Sequence, residues 1–507
     1  MKLSITFLIT LFCLTVRAQQ QSANWIFGYN AGITFHPDGS TTPIPGSAIS
    51  AAEGASSISD AEGNLLLYTD GRTVFDRTHR IMPGGNYMAG TGLLGDTSTT
   101  QAAIIVPGPG NPDKYYIFTL DEPHHQNAQS YPAPFAGTYS NPAGSVPQDD
   151  DGLNNGLNYS VVDLSLTGSN GSIGDVQLRN QHLVTYNPGA VEELKYKCSE
   201  KLTAVRNASM TGYWVLTHFK DRFYAFEVTA AGVNVQPVVS HVGPDVPVSG
   251  YRRNAIGAMK ASLDGQMIAV AHNQKGTSTG TVALNGGVYL YDFNPSTGIV
   301  SNQRIVNANT TPYGVEFSPQ RKKLYVTYEH YNGFGGLYQY DLLAQDIGAS
   351  SVMLSVDDYG ALQLAPNGKI YKAQNSSQFL AVINNPEEDG FSCGHDSFGL
   401  FLPYPTFSSV GLPNFIATAM TVLGVPEHSS HNFLIYPNPV KESFTIAGAV
   451  VETILDVALI DMSGRLLRQW DAPAMSEALD ISGITSGTYI VCITTQTGKK
   501  SIKIIIE

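Results

Sequence analysis

The chain has 507 residues, of which only 14% are charged, and it carries a net charge of −13. That acidic balance excludes a basic face of the kind that holds nucleic-acid phosphates. The 50 Gly, 28 Pro, 26 Tyr and 21 Phe are the composition of a turn-rich, all-β protein, and no long window keeps a helical period without Gly or Pro interrupting it.

At the N-terminus, Met1-Lys2 precedes an apolar run from Leu3 to Val16, too short for a stable membrane anchor. Val16-Arg17-Ala18 then places small residues on either side of Arg17, so residues 1–18 are expected to be a secretory signal peptide cleaved after Ala18. Phe12 before Cys13 does not fit a lipoprotein cleavage site. No later stretch is apolar enough to form a transmembrane segment. Removal of the peptide leaves Cys198, Cys393 and Cys492. An oxidising compartment permits a Cys198–Cys393 disulfide, with two separate buried thiols as the alternative. Cys492 lies in an apolar strand as a small core residue.

From Asn24 the chain repeats one unit: a short apolar strand, a polar turn, a second apolar strand, and a third ending near an aromatic-Asp pair. Aromatic strands around Trp25 and Phe35 come first. Hairpins follow over Ala55–Asp70, Ala102–Leu120, Leu202–His218, Ala258–Ala271, Val315–Tyr328 and Ala361–Ala373. In the cleanest copy, Thr311 to Leu342, a Gly-rich loop at Asn332–Gly336 is expected before the third strand Leu337–Asp341. The turns at Gly212, Gly265, Gln320-Arg321 and Gly368 recur about every 50 residues, the spacing of a four-stranded propeller blade. Asp-Gly and Pro-Asn-Gly supply the positive φ that tight hairpins need. A small twisted sheet cannot bury both faces alone, and radial closure solves this while leaving only short edges. The expected fold over residues 24–420 is a β-propeller of about seven blades, with a β-sandwich array as the alternative. The segment Leu412–Ile416 is expected to join the strands near Trp25 and close the ring.

Phe317-Ser318-Pro319, Leu364-Ala365-Pro366-Asn367-Gly368 and Leu337-Tyr338-Gln339-Tyr340-Asp341-Leu342 resemble the WD40-like and surface-layer YVTN-type propellers. True WD40 repeats end in Trp-Asp with an upstream Gly-His, and neither stands in register here. The resemblance implies a binding platform or an enzyme without deciding between them.

A polar insertion rich in Pro, Gly and Asn, residues 121–158, breaks the repeat where a loop would project from the scaffold. His124 and His125 beside Asp121 and Glu122 are weak metal candidates, because adjacent side chains point apart. Asp149, Asp150 and Asp151, with Gly152, Asn154 and Asn155, offer hard oxygen ligands for calcium but lack the spaced register and closing Glu of a calcium loop. No other cofactor is indicated. Nucleophile-elbow, zinc-protease, P-loop and Cys-x-x-Cys patterns are absent. Asp70, Asp121, His218, His272 and Glu329 stand near expected blade tops, where they either line a channel or cap turns. Glu53-Gly54-Ala55-Ser56 reads as a site or a strand entry. Tyr331, Phe334 and Tyr338 either stack on sugar rings or pack the blade.

After a polar linker, residues 421–432, the style changes. Seven short strands with regular turns over residues 433–507 predict a small antiparallel, immunoglobulin-like sandwich. Tyr436-Pro437-Asn438-Pro439, Leu459-Ile460-Asp461-Met462-Ser463-Gly464-Arg465, Leu479-Asp480-Ile481-Ser482-Gly483-Ile484 and Ser486-Gly487-Thr488-Tyr489-Ile490-Val491 closely resemble the type A C-terminal sorting domain of the type IX secretion system. Tyr436, Pro437, Asn438, Pro439, Asp461, Gly464, Gly487 and Tyr489 are the motif positions. The resemblance implies a Gram-negative host and passage through the periplasm. The outer-membrane secretion machinery and its sortase would be partners, with release or attachment at the outer cell surface after tail cleavage. The terminal Ile-Ile-Ile-Glu departs from the commoner basic ending. For the passenger the expectation is a binding or adhesion module for a glycan or protein; the alternative is a propeller-fold polysaccharide lyase or glycoside hydrolase.

Overall fold

The computed structural model describes residues 20–123, 155–248, 251–276, 284–331, 334–357, 359–419, 433–448, 454–461, 465–474, 477–495 and 499–507. His124, His125 and Asp149 to Asp151 lie outside them, as do the signal peptide, the linker and Gly464. The chain divides into two compact units, Met1–Leu423 and Gly424–Glu507.

The first unit is a β-propeller. Its described residues form seven consecutive antiparallel sheets, each a meander in chain order. The first sheet contains Asn24–Phe27, Ala31–Phe35 and Thr41–Pro43, and the second Ser56–Ser59, Leu65–Thr69 and Val74–Asp76. The third contains Ala103–Pro107, Lys114–Leu120, Leu157–Thr167 and Ile173–Leu183. The fourth is Leu202–Arg206, Tyr213–Phe219 and Arg222–Thr229, with Gly232–Val233 and Val238–His241 both pairing on the last of these. The fifth is Met259–Ala261, Met267–His272, Gly286–Asn294 and Ile299–Thr310; the sixth, Pro312–Phe317, Lys323–Tyr331, Phe334–Asp341 and Val352–Ser355; the seventh, Leu362–Leu364, Ile370–Lys372, Phe379–Ile383 and His395–Phe401.

The ring can be followed through hydrogen bonds among the first strands and the connections entering them. Ile105 N donates to Ser56 Oγ at 3.2 Å, and Leu202 N and Met259 N donate to Gln101 Oε1 at 3.0 and 2.7 Å. Ala258 N donates to Tyr313 O at 2.8 Å, and Leu364 N to Glu316 Oε2 at 3.0 Å. Ala361 N donates to Val410 O and Asn414 N to Ala55 O, both at 2.8 Å, returning the circuit to its start. Neighbouring sheets share apolar cores, so the inner strands are buried on both faces and read as nearly continuous apolar runs, while outer strands such as Ile299–Thr310 and His395–Phe401 are largely exposed. At the closure, Trp25, Phe27 and Phe35 pack against Tyr371, Leu380 and Val382, with the Trp25 ring 5.5 Å from that of Tyr371. Tyr29 also exchanges backbone hydrogen bonds with Phe407. Gly28 permits this approach: its φ is +56°, and a Cβ there would lie 2.4 Å from Phe407 O.

Two differences from the sequence reading have local causes. In the sixth sheet Phe334 pairs back on Tyr331, so Phe334 to Gly336 are strand rather than loop. The long strands Leu157–Thr167 and Ile173–Leu183 are joined by repeatedly shifted register, which breaks the alternation that marks a strand in sequence.

The second unit is a two-sheet sandwich. Phe433–Tyr436, Ser443–Gly448 and Leu479–Asp480 form one sheet; Leu466–Asp471, Ile454–Asp461, Gly487–Thr495 and Lys499–Ile506 form the other, in that spatial order. Phe444, Ile446, Val457, Leu459, Val491, Ile493 and Ile504 fill the core between them.

Candidate functional site at the channel mouth

In an antiparallel meander, successive connections alternate between the two ends of a sheet. Here the tight turns at Asp60–Asn64, Ser262–Met267, Ser318–Lys323 and Ala365–Lys369 occupy one end of the ring. The connections between sheets, and the insertion between Lys114–Leu120 and Leu157–Thr167, occupy the other.

At that second end the inter-sheet connections bring four distant side chains together. Tyr313 OH donates to Glu53 Oε2 at 2.5 Å, and Thr100 donates to Glu200 Oε2 through its N at 2.9 Å and its Oγ1 at 2.6 Å. Glu122, at the start of the insertion, adds a third carboxylate whose charge acts on both Glu53 and Glu200. Thr100, Glu122, Glu200 and Tyr313 are buried, and Glu53 is half-buried. Burial raises the Glu53 carboxyl well above its ordinary range; the charges of Glu200 and Glu122 add to this, while the Tyr313 and Thr100 bonds oppose it. Glu200 is pushed up to about 7, chiefly by burial and then by Glu122. Lys201 shifts the other way, because burial disfavours its charge. Burial thus favours the protonated form of Glu53 and Glu200 relative to an exposed carboxyl.

Beneath the mouth the scaffold is cross-tied. Gln101 Nε2 donates to Met259 O at 3.0 Å, and Asn414 Nδ2 to Leu202 O at 2.8 Å. Beside it, Asn155 N and Nδ2 donate to Asp121 Oδ2 at 2.6 and 3.0 Å, and Cys198 Sγ to Asp121 O at 3.5 Å. The insertion thus leaves and re-enters the propeller at this mouth.

The sequence candidates are not brought into one constellation. Asp70 is a turn cap: its Oδ1 accepts from Arg72 N at 2.9 Å and Thr73 N at 2.7 Å. Asp121 ties the insertion base. Glu329 accepts both bonds of Arg253, at 2.9 and 3.0 Å. His218 and His272 do meet, with ring centroids 4.8 Å apart, but both are wholly buried between the fourth and fifth sheets. Burial holds His218 down at about 3 and His272 well below its usual value. Tyr338 packs edge-on against Tyr328 with centroids 5.2 Å apart, while the side chains of Tyr331 and Phe334 lie outside the described residues.

The Cys198–Cys393 disulfide is not formed. Cys198 belongs to the core around Phe118 and Phe226, Cys393 to the core around Tyr325 and Ile370, and both are free thiols. Among the described residues no group of three or more His, Cys, Asp and Glu is arranged to hold a metal ion. Of the mouth residues, Thr100, Glu200 and Tyr313 carry no local sequence signal. Glu53 stands in the Glu-Gly-Ala-Ser stretch already noted.

In the second unit the Tyr-Pro-Asn-Pro stretch is clamped to the last strand. Ile505 N donates to Asn438 Oδ1 at 2.9 Å, and Val440 N to Ile505 O at 2.7 Å. Asp461 closes a turn by accepting from Arg465 N and Nε, each at 3.0 Å. Tyr489 OH donates to Thr485 O at 2.6 Å, and a Cβ on Gly487 would stand 3.3 Å from the Tyr489 ring.

Residues 434–507 match the family described as Secretion system C-terminal sorting domain. That domain marks proteins exported by the type IX system to the cell surface or beyond, and the propeller is its passenger. No helix among the described residues is long and apolar enough to cross a membrane. No curated protein matches the chain. Among solved structures, a proposed 6-phosphogluconolactonase from Bacteroides uniformis is similar at 11% identity and TM-score 0.40, covering 76% of this chain and 98% of that one. The β-propeller domain of Swd1 from Myceliophteria thermophila is similar at 11% identity and TM-score 0.36, covering 74% and 94%. A gluconolactonase from Xanthomonas campestris is similar at 13% identity and TM-score 0.29, covering 58% and 78%.

Proposed function

We propose that the exported propeller is a surface-binding module that takes a glycan at the channel mouth carrying Glu53, Thr100, Glu122, Glu200 and Tyr313. The supporting observation is convergence: connections entering the second, third and fourth sheets meet the first strand of the sixth there, and the Asp121–Asn155 bonds fix the insertion beside them. A carboxyl accepts hydrogen bonds and, as the acid that burial favours at Glu53 and Glu200, also donates one, the pairing that saccharide hydroxyls require. Rigid strands beneath a variable loop are the usual support for recognition. Residues 1–18 direct entry to the periplasm, and residues 433–507 are removed when the passenger reaches its destination.

A second reading, glycoside hydrolysis or lyase chemistry, is favoured by one feature: Glu53 and Glu200 are neighbouring carboxyls, the pair of groups that glycoside hydrolysis employs. A glycan array probed with the mature chain tests both. Binding without turnover, lost in Glu53→Gln, supports the module. New reducing ends or unsaturated products identify the enzyme, and neither binding nor turnover overturns both readings.

A further inference from the structure

At the opposite end of the ring, three consecutive first strands repeat one register. Lys260, Glu316 and Gln363 each stand two residues before the turn of their hairpin, at Ser262, Ser318 and Ala365 respectively. All three are buried. Lys260 Nζ donates to Gln363 Oε1 and stands 3.7 Å from Glu316 Oε2. Glu316 is held by Phe317 N on Oε1 and Leu364 N on Oε2, both at 3.0 Å. Leu263, Phe317, Leu364 and Phe415 wall the cluster, beside a small space partly open to solvent.

An amine, a carboxamide and a carboxyl buried in contact are the components of an amide exchange. We propose that Lys260 and Gln363 form an intramolecular isopeptide bond, with Glu316 carrying the protons. Burial disfavours the charged forms, lowering Lys260 and raising Glu316 from their ordinary values, which makes the neutral amine and the acid more accessible than at the surface. The Lys260 Nζ lone pair attacks Gln363 Cδ while the Glu316 acid donates to the carboxamide oxygen. Glu316 then takes a proton from the former amine, delivers one to the departing nitrogen, and recovers the proton of the tetrahedral hydroxyl as the carbonyl re-forms. The Cδ–Nε2 bond breaks, the Nζ–Cδ amide remains, and ammonia leaves through the adjoining space. No electrons are exchanged and Glu316 is regenerated. The bond would link the fifth sheet to the seventh across the sixth. It would give an exported chain a covalent staple where its described cysteines are free thiols.

Peptide mapping of the folded full chain by mass spectrometry is the test. Acylated Lys260 resists trypsin, so residues 254–275 should remain uncut and appear joined to residues 324–369, lighter than the sum of the two peptides by one ammonia, about 17 Da. The joined species identifies the bond independently of N-terminal glutamine cyclisation, which changes whole-chain mass equally. Glu316→Gln should keep the circular dichroism of the wild type, yield only linear peptides and migrate more slowly on a denaturing gel. Linear peptides alone from wild-type protein incubated at neutral pH would overturn the proposal and leave a non-covalent buried ion pair. A joined peptide persisting in Glu316→Gln would overturn the role of Glu316. If that variant does not fold, the wild-type map still decides the bond.

Discussion

Tyr313 OH donates to Glu53 Oε2 at 2.5 Å although the two residues stand 260 positions apart in the chain. This bond joins the connection entering the second sheet to the first strand of the sixth, and it opposes the rise in the Glu53 pKa. Tyr313→Phe should therefore retain the fold, lose about 1–2 kcal/mol in urea denaturation, and move the Glu53 carboxyl further upward. An unchanged Glu53 titration, followed by isotope-edited infrared spectroscopy, would dissociate the two groups.

The His218–His272 pair sets a pH dependence. Both imidazoles hold protons less tightly folded than unfolded, so the unfolded chain binds more protons below the ordinary value of 6.5. Stability should be intact above that pH and decline as pH falls towards 3, by about 1.4 kcal/mol per pH unit for each histidine. Urea midpoints between pH 7 and pH 4 should show this slope, and His218→Gln should reduce it.

Asn414 is a keystone of closure: its N bonds Ala55 O, its O accepts from Ser56 Oγ at 2.9 Å, and its Nδ2 bonds Leu202 O. Asn414→Ala keeps the backbone bonds but leaves Leu202 O without that donor in a buried setting. The expected loss is about 1–3 kcal/mol in chemical denaturation.

Free thiols at Cys198, Cys393 and Cys492 predict that alkylation in denaturant adds the same number of groups with and without prior reduction. A reductant-dependent increase in mass would indicate a bridge.

Deletion of residues 433–507 should trap the passenger in the periplasm, as read by fractionation. Within the tail, Asn438→Ala removes the acceptor for Ile505 N and should loosen the last strand, lowering the melting temperature of this unit by a few degrees.

The hairpins were legible because their signals are local. Leu263-Asp264-Gly265 and Pro366-Asn367-Gly368 place glycines at φ +67° and +80°, and both flanking strands are apolar because the inner strands of each sheet are covered on two sides. The sorting domain was legible because its motifs are short contiguous stretches; Asp461 and Tyr489 bond four residues away, whereas the Asn438 clamp on Ile505 spans 67 positions. Cysteine count carries no distance, so a Cys198–Cys393 bridge and two separate buried thiols stayed open until the structure placed the two in different cores. The five channel candidates were selected by chain position near blade tops, and that position does not distinguish an inward-facing side chain from a turn cap or an inter-sheet core residue.

Composition, turn chemistry and the tail motif by themselves determined the β class, the repeating unit and the export route, since each depends on residues within a few positions of one another. Only the closed ring decided which side chains meet. Glu53, Glu122 and Glu200 belong to three separate connections, and Lys260, Glu316 and Gln363 to three separate hairpins; neither set is local at any window length. Radial packing of sheets brings equivalent strand positions together around one axis, and that geometry gathered carboxyls at one end of the ring and buried an amine against a carboxamide at the other.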